Sequence, residues 1–523
     1  MQPLLTQLLQ LPRRARWGLI FLAGLSNTFA YAPHNISFIP FITLPLLLLE
    51  LELIHRQTDK KIKTAAISGF LYGLGWFGAG ISWVHVSIDQ YGGLPLPASL
   101  GLMAILVSYL ALFPALCCGL LVKFSPHSRH WWFAFPIFWL LSEWLRSCLL
   151  TGFPWLSIGY SQFESPLAAL APVIGEVGIT FIVCIIAVLT TQLLQKKSVK
   201  SSMAALITLA IVTVALHWVE WVEHTGESKS IALVQGNIQQ EMRWTPENDW
   251  STLLKYRDLT RTHYDVDLIV WPEAAIPSLE PHSTDDLINL DSAVALNSTA
   301  LISGILDYNF QTRDIYNSLI VLGLKEPTDT RGQYYYPHVN RYNKHHLLPI
   351  GEFVPFEDFL RPLAPIFDLP MSSFSRGEAR QTNLRANGMN VVPAICYEII
   401  FPRLLRQNIT DTSDFILTVS NDAWFGTSAG PLQHLQIAQM RALEFGRPVL
   451  RATNNGVTAV TDEKGNITNQ LPQFVAGVLR SDIQLVKGRT PYLQFGDWPL
   501  WLLSLLGLGF LAWRRKNAKP AMK

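Results

Sequence analysis

The chain has 523 residues, 49% of them hydrophobic and 15% charged, with a formal net charge of +2. That length allows two or more domains, and so apolar a composition is unusual for a soluble protein. No segment joins a basic stripe to a nucleic-acid-binding motif, which argues against nucleic acid as a partner.

The hydrophobicity is gathered into blocks. A bilayer core of about 30 Å needs about 20 apolar residues of helix. Runs near that length, bounded by charge, lie at about 15–32, 37–54, 64–86, 96–122, 131–150, 169–195, 202–219 and 497–513. The sequence therefore predicts a polytopic α-helical membrane protein with eight transmembrane helices, seven before a large polar region and one after it. Connections carrying Arg13, Arg14 and Arg16, then Arg56, Lys60, Lys61 and Lys63, then Lys123 and Arg129, then Lys196, Lys197 and Lys200 alternate with connections at 33–36, 87–95 and 151–168 that have no Lys or Arg. The positive-inside rule then places both termini in the cytoplasm and the polar region outside. The domains expected are 1–219 in the membrane, 220–496 outside it, and 497–523 as a last helix with its tail. Trp131, Trp132, Trp218, Trp498 and Trp513 at segment ends suit the interfacial belt. The first segment begins like a secretory signal but lacks a clean cleavage site, and reads as retained. Inside the spans, Glu143 and Arg146 lie one helical turn apart, as a functional pair or a self-neutralising structural one. Glu176 is open in the same way.

From Ser230 the pattern changes to short β-like runs alternating with helices, which predicts an α/β or layered α+β domain. The strands expected are Ile231–Gly236, Asp267–Trp271, Ala300–Leu306, Asn317–Leu322, Val391–Cys396, Phe415–Ser420 and Val449–Thr453, with amphipathic helices over Trp250–Tyr264 and Pro431–Phe445. Asp462 to Asn466 reads as a hairpin turn. Cys117, Cys118, Cys148 and Cys184 fall in apolar segments, so Cys396 alone lies in the polar region and has no internal disulfide partner there.

Polar residues gather at strand ends. Leu268-Ile269-Val270-Trp271-Pro272 delivers Glu273, Tyr342-Asn343 leads into Lys344 and on to Glu352, and Val391-Val392-Pro393-Ala394-Ile395 delivers Cys396. A carboxylate, an ammonium and a thiol form a chemically sufficient set. The thiolate is the nucleophile and needs a base or cation beside it at neutral pH. Glu273 is placed to take and return a proton, and a fixed charge at Lys344 suits an oxyanion. Singly, each is as well read as a surface charge, a turn cap or a core thiol.

In order along the chain, Trp271-Pro272-Glu273, Lys344 with His346-Leu347-Leu348-Pro349-Ile350-Gly351-Glu352, and Cys396-Tyr397-Glu398 resemble the Glu-Lys-Cys triad of the nitrilase, or carbon-nitrogen hydrolase, superfamily. Within it, Gly152-Phe153-Pro154-Trp155-Leu156, Gly159-Tyr160-Ser161-Gln162 and Ser420-Asn421-Asp422-Ala423-Trp424-Phe425 extend a resemblance to the family of apolipoprotein N-acyltransferases over nearly the full length. The resemblance implies an αββα sandwich on the outer side of a Gram-negative inner membrane. It also implies Glu273 as base, Lys344 as oxyanion-stabilising residue and Cys396 as nucleophile. Glu352, Tyr397 and Glu398 match supporting positions, and Trp244 matches a tryptophan linked to substrate binding.

The reaction so implied is ping-pong. A glycerophospholipid, phosphatidylethanolamine, acylates the thiol, and the acyl chain passes from the thioester to the α-amine of a diacylglyceryl-cysteine at the head of an apolipoprotein. No metal or cofactor is implied. The apolar stretch from Phe353 through Phe356 and Phe359 to Met371 is expected to form a lipid-touching arm. The alternative reading is a membrane-anchored amidase that uses the same triad with water as acceptor.

Overall fold

The computed structural model describes residues 10–57, 60–91, 95–125, 130–240, 246–349, 351–353 and 374–517. Trp244 and the segment 354–373, where the lipid-touching arm was expected, lie outside them. The described residues fall into two units, one running to Asp89, resuming over Pro95–Val219 and returning from Gln494, the other essentially Glu220–Leu493.

The first unit is helical. Among the described residues, Leu96–Phe124, Trp131–Thr151, Pro166–Leu194 and Val199–His217 are long and apolar enough to cross a membrane, and Trp498–Trp513 is a shorter apolar helix. Helices also form over Arg13–Ser26, Pro40–Gln57 and Lys61–Gly80. The first is short, the second gathers Glu50, Glu52 and Arg56 in its second half, and the third is diluted by Lys61, Lys63 and five glycines, so none is as long and apolar as the four. Close packing rests on small residues: a Cβ on Gly24 would lie 2.0 Å from the Tyr72 carbonyl oxygen, and one on Gly75 would lie 2.2 Å from that of Phe21.

Arg146 is fully buried. It donates to the carbonyl oxygens of Phe153 at 2.6 Å and Trp155 at 2.7 Å, and pairs with Glu143. The guanidinium therefore ties the Gly152–Leu156 loop to its own helix, and the structural reading of the pair accounts for its contacts. Glu176 accepts from Thr180 Oγ1 at 3.2 Å, and that hydroxyl in turn accepts the Gly159 N–H at 2.8 Å. A Cβ on Gly159 would come within 2.2 Å of the Glu176 carbonyl oxygen, so this loop and helix meet backbone to backbone.

The second unit is a four-layer αββα sandwich. One sheet contains β1 (Glu223–Gln235), β2 (Leu268–Val270), β3 (Ile276–Leu279), β4 (Ala300–Tyr308), β5 (Ile315–Gly323), β6 (Arg341–Asn343) and β13 (Gly477–Lys487), in the order β13-β1-β2-β4-β5-β6 with β3 beside β4. The other contains β7 (Leu384–Ala386), β8 (Met389–Ile395), β9 (Phe415–Ser420), β10 (Val449–Thr453), β11 (Ala459–Thr461) and β12 (Ile467–Gln470) in the order β12-β11-β10-β9-β8-β7.

The twofold alternation of a strand sorts its side chains. Ile231, Leu233, Leu268, Val270, Ala300 and Ile302 pack against Val391, Ile395, Leu417, Val419 and Leu450 between the sheets. Ala232, Val234, Ile269, Trp271 and Leu301 face outward onto Leu253, Tyr256, Leu287 and Leu290 of helices Pro246–Thr260 and Thr284–Leu296. Strands covered on both faces read as continuous apolar runs, and at about 1.5–3 kcal/mol per fully buried Leu, Ile or Val the two layers dominate the stability of the unit.

The seven expected strands and both helices form, and Asp462–Asn466 closes the β11–β12 hairpin with Asp462 N–H donating to the Asn466 carbonyl at 2.9 Å. β1 extends back to Glu223 because it pairs with β13 on both sides of a bulge between His224 and Ser228, Glu223 facing Lys487. That exposed ribbon has no apolar run at its start to betray it.

Replacing Arg146 by Ala should leave two backbone carbonyls and Glu143 without their donor, at about 3 kcal/mol. Thermal unfolding of the detergent-solubilised full chain should shift down by on the order of 5–10 °C; an unchanged transition would show that the guanidinium does not hold the loop.

Candidate active site

Glu273 sits three residues past the end of β2. Trp271 still donates to the Ile302 carbonyl at 2.8 Å, and its indole N–H donates to Thr260 Oγ1 at 2.8 Å. Pro272 then has no N–H to offer and the ladder ends. The turn that follows, with Ala274 at φ 45°, lies against β4 at Gly304, where a Cβ would come within 2.3 Å of Ala274 N and 2.5 Å of the Pro272 oxygen. Three donors converge on the Glu273 carboxylate: Asn317 Nδ2 at 2.8 Å and Lys344 Nζ at 3.5 Å on Oε1, and the Asn421 backbone N–H at 2.9 Å on Oε2.

Lys344 follows β6, its N–H bonded to the Asn317 carbonyl at 2.8 Å. The side chain is 2% exposed, and Nζ donates to Glu352 Oε1 at 2.7 Å. Burial alone would lower the pKa of the ammonium, but Glu352 and Glu273 outweigh it and the net shift is upward. Glu352 is fixed in turn by the Leu348 N–H, 2.8 Å from Oε2, and by Asn317 Nδ2 at 3.2 Å. Asn317 therefore spans both carboxylates from the middle of β5.

Cys396 follows β8 in the left-handed region, at φ 52°. A non-glycine residue rarely adopts that conformation, and such strain is held only where the surroundings over-determine it. Glu398 supplies the restraint. Its buried carboxylate accepts the Ile395 N–H at 2.8 Å, just before the cysteine, and the N–H groups of His345 at 2.8 Å and His346 at 3.0 Å, just after the lysine, with Tyr342 Oη at 3.0 Å. Burial pushes this carboxyl's pKa up, against the pull of the Ile395 and His346 amides. The Cys396 thiol is also pushed up, by burial first and then by the Glu273 carboxylate, with Lys344 pulling the other way. The sulfur thus rests as a thiol within the field of both charged groups. Tyr397 packs its ring against Phe401, 5.3 Å between centroids, beside His346.

A second polar cluster lies behind the thiol. Ser420 Oγ is 3.5 Å from Cys396 Sγ and also bonds to Asp422 Oδ1. Arg451 donates to Asp422 Oδ2 at 2.5 Å and lies 3.2 Å from His434 Nδ1, while His434 Nε2 meets the Cys396 carbonyl at 3.1 Å. Burial and then the nearby guanidinium lower the pKa of His434, against the pull of Asp422, whose Oδ1 lies 3.6 Å from Nδ1. A carbonyl only accepts, so Nε2 carries the proton and Nδ1 accepts from Arg451. Burial opposes the Asp422 charge, but Arg451 holds the carboxyl well below the usual range.

The structure brings together Glu273, Lys344, Cys396, Glu352, Tyr397 and Glu398 of the expected set, while Trp244 is outside the described residues. Asn317, His434 and Arg451 were not anticipated. Arg451 left a signal, a cation in the middle of a run otherwise fit for a buried strand. Asn317 and His434 left none, since one amide or imidazole on an apolar element reads as core.

A carboxylate and an ammonium beside a strained thiol form a set able to carry acyl transfer through a thioester. Comparison with known proteins agrees in kind. The family model described as Apolipoprotein N-acyltransferase N-terminal domain matches residues 23–189, and Carbon-nitrogen hydrolase matches residues 230–490. A Shewanella oneidensis protein named apolipoprotein N-acyltransferase is 50% identical over 500 residues, covering 94% of this chain and 95% of its own. One of that name from Vibrio cholerae is 47% identical over 499 residues, 95% of this chain and 96% of its own. The solved structure of Saccharomyces cerevisiae Nit3, a member of branch 10 of the nitrilase superfamily, aligns with 51% of this chain and 92% of its own at a TM-score of 0.36 and 18% identity. With such identity along nearly its whole length and a family model matched in each half, the chain belongs to the apolipoprotein N-acyltransferase family, its second unit a carbon-nitrogen hydrolase domain.

Proposed function

We propose that the chain transfers an acyl group from a glycerophospholipid, phosphatidylethanolamine, through a thioester on Cys396 to the α-amine of the S-diacylglyceryl-cysteine that begins an apolipoprotein. The observation that carries this reading is the convergence of Glu273 and Lys344, 3.5 Å apart, in the environment of a strained thiol.

In the first half-reaction Glu273 takes the thiol proton as sulfur attacks the ester carbonyl. Lys344 faces the developing oxyanion, with Glu352 keeping the ammonium in place. Collapse expels the lysophospholipid alkoxide, which receives the proton from Glu273. In the second, the amine attacks the thioester, Glu273 accepts a proton from nitrogen, and the thiolate leaves and is reprotonated. Because burial raises the thiol's pKa, the thiolate forms only as Glu273 takes the proton, which is the task of a general base.

Both substrates hold their acyl chains in a bilayer, and this supports the finer placement: eight spans in all, domains at 1–219, 220–496 and 497–523, both termini cytoplasmic, and the carbon-nitrogen hydrolase domain on the periplasmic side of the inner membrane. The helices over Arg13–Ser26, Pro40–Gln57 and Lys61–Gly80 then count as spans despite their length or charge. Helix Val199–His217 is only 11% buried and apolar on all sides, as a helix facing lipid is. Tyr397, Glu398 and Glu352 act by placing the triad, and Trp244 belongs to the substrate path.

Intact-protein mass spectrometry after incubation with phosphatidylethanolamine should show a hydroxylamine-labile acyl adduct on the wild type and none on Cys396→Ala, discharged by a diacylated lipopeptide. A wild type without adduct, releasing ammonia from amides, would replace the transferase with an amidase.

Glu398→Gln should be disabling despite its size. Whichever way the amide is turned, an NH2 group faces a backbone N–H, leaving buried donors unpaired at about 1–3 kcal/mol. Acylation of Cys396 should slow at least about tenfold, with a lower unfolding temperature; a wild-type acylation rate would remove Glu398 from the placing of the nucleophile.

A further inference from the structure

The hydroxyl of Ser420 has two acceptors and one proton. It ends β9 with Oγ 3.5 Å from Cys396 Sγ, and the same oxygen bonds to Asp422 Oδ1. A serine hydroxyl donates once and accepts through its lone pairs. While the sulfur is a thiol, both contacts are satisfied if Ser420 donates to Asp422 and the S–H points at Oγ. Once the sulfur is a thiolate that arrangement fails, because a lone pair would face an anion. Rotation about Cβ–Oγ restores it by turning the O–H to sulfur. Asp422 tolerates the loss, since Arg451 remains on its other oxygen at 2.5 Å and is itself locked against His434.

We propose that Ser420 is a further catalytic residue of this site, whose hydroxyl turns from the Asp422 carboxylate to the Cys396 sulfur each time the thiolate forms. The proposal rests on the nucleophile assignment made above. No proton is gained or lost at Ser420: the thiol proton goes to Glu273 and returns from it, and the serine keeps its own. When the thioester forms the sulfur loses its charge and the hydroxyl swings back. When the amine discharges the thioester the thiolate leaves and the hydroxyl turns again, so one rotor serves both half-reactions. The charged groups that face the sulfur are Glu273 from the end of β2, Lys344 from the end of β6 and Asp422 beyond β9. Glu352 stands behind the lysine, and Arg451 stands behind Asp422. The hydroxyl is the neutral donor in this set. Arg451, itself set against His434, holds its alternative acceptor, Asp422, still.

The test reads thiolate formation without any lipid. Alkylation of Cys396 by iodoacetamide is followed by mass spectrometry against pH in the detergent-solubilised full chain, with the exposed Cys148 replaced by Ser. The raised thiol predicts a wild-type rate still climbing above the usual thiol pKa of about 8.5, not one levelling off near neutrality. Ser420→Ala should move the profile up by about one pH unit, so that alkylation at a fixed pH below the midpoint is about tenfold slower. Ser420→Thr and Ser420→Val have the same volume and differ in the hydroxyl, which covers loss of folding in the alanine variant. Thr should stay close to the wild type and Val should follow Ala. Alkylation of the Ala and Val variants at the wild-type rate would overturn the proposal and leave Ser420 as a cap for Asp422. If instead alkylation responds as expected but phospholipid leaves no adduct on the wild type, the acyl-transfer reading fails and the role of the hydroxyl toward the thiolate stands.

Discussion

One carboxylate holds the reactive geometry together. Glu398 reaches back to the last amide of β8 and across to two consecutive amides that follow the lysine-bearing strand. The cysteine comes from one sheet and the lysine from the other, so their relative placement is a matter between layers that hydrophobic packing fixes only loosely. Four donors on one buried anion fix it closely, because leaving any of them unpaired costs more than a neutral hydrogen bond returns. The left-handed backbone at Cys396 is sustained by the same brace: the residue before it and the residue two after it are joined through that side chain.

The charges around the thiol are arranged for a reaction that begins neutral. Lys344 lies between Glu352 and Glu273, and so is held charged, yet its field on sulfur is offset by the carboxylate it touches. An unopposed lysine would make a standing thiolate, reactive toward any electrophile at the membrane surface. Here the nucleophile is made only when the proton has somewhere to go. Asn317 adds spacing without charge, keeping two carboxylates apart with a single NH2 group.

Much of this was legible in the sequence because strand ends announce themselves. Trp271-Pro272-Glu273 and Ile395-Cys396-Tyr397-Glu398 each pass from an apolar run to an ionisable group within two residues, and the break is visible without a fold. The covered strands Phe415–Ser420 and Val449–Thr453 form over the very residues expected, since short, mostly apolar runs with β-branched residues among them suit a sheet covered on both faces. What the sequence hid is what depends on contact between distant elements. β13 pairs with β1 across more than 200 residues of chain and carries alternating charge that reads equally well as loop. The His434–Arg451–Asp422 cluster joins a helix, a strand and a turn, and no local pattern marks three such residues as neighbours. The short strands β3, β6 and β7 exist because a longer neighbour templates them.

The end of β9 is the most crowded point of the fold in chemical terms. Within three consecutive residues Ser420 addresses the sulfur, the Asn421 backbone addresses Glu273, and Asp422 addresses Arg451. Asn421 also uses its side chain to meet Gln240 at 2.8 Å and accepts from Asn454 at 3.0 Å. The strand that presents them is locked on both edges, with Ile395 opposite Val419 on one side and Thr453 opposite Ser420 on the other. Because side chains alternate faces, a deletion of one residue upstream would set the Asn421 amide where the Ser420 hydroxyl meets the sulfur and carry Asp422 away from Arg451, undoing both side-chain contacts at once. The length of β9 therefore sets these contacts together, so an added residue leaves them in place only beyond this triplet, and a change at any one of the three positions bears on the other two.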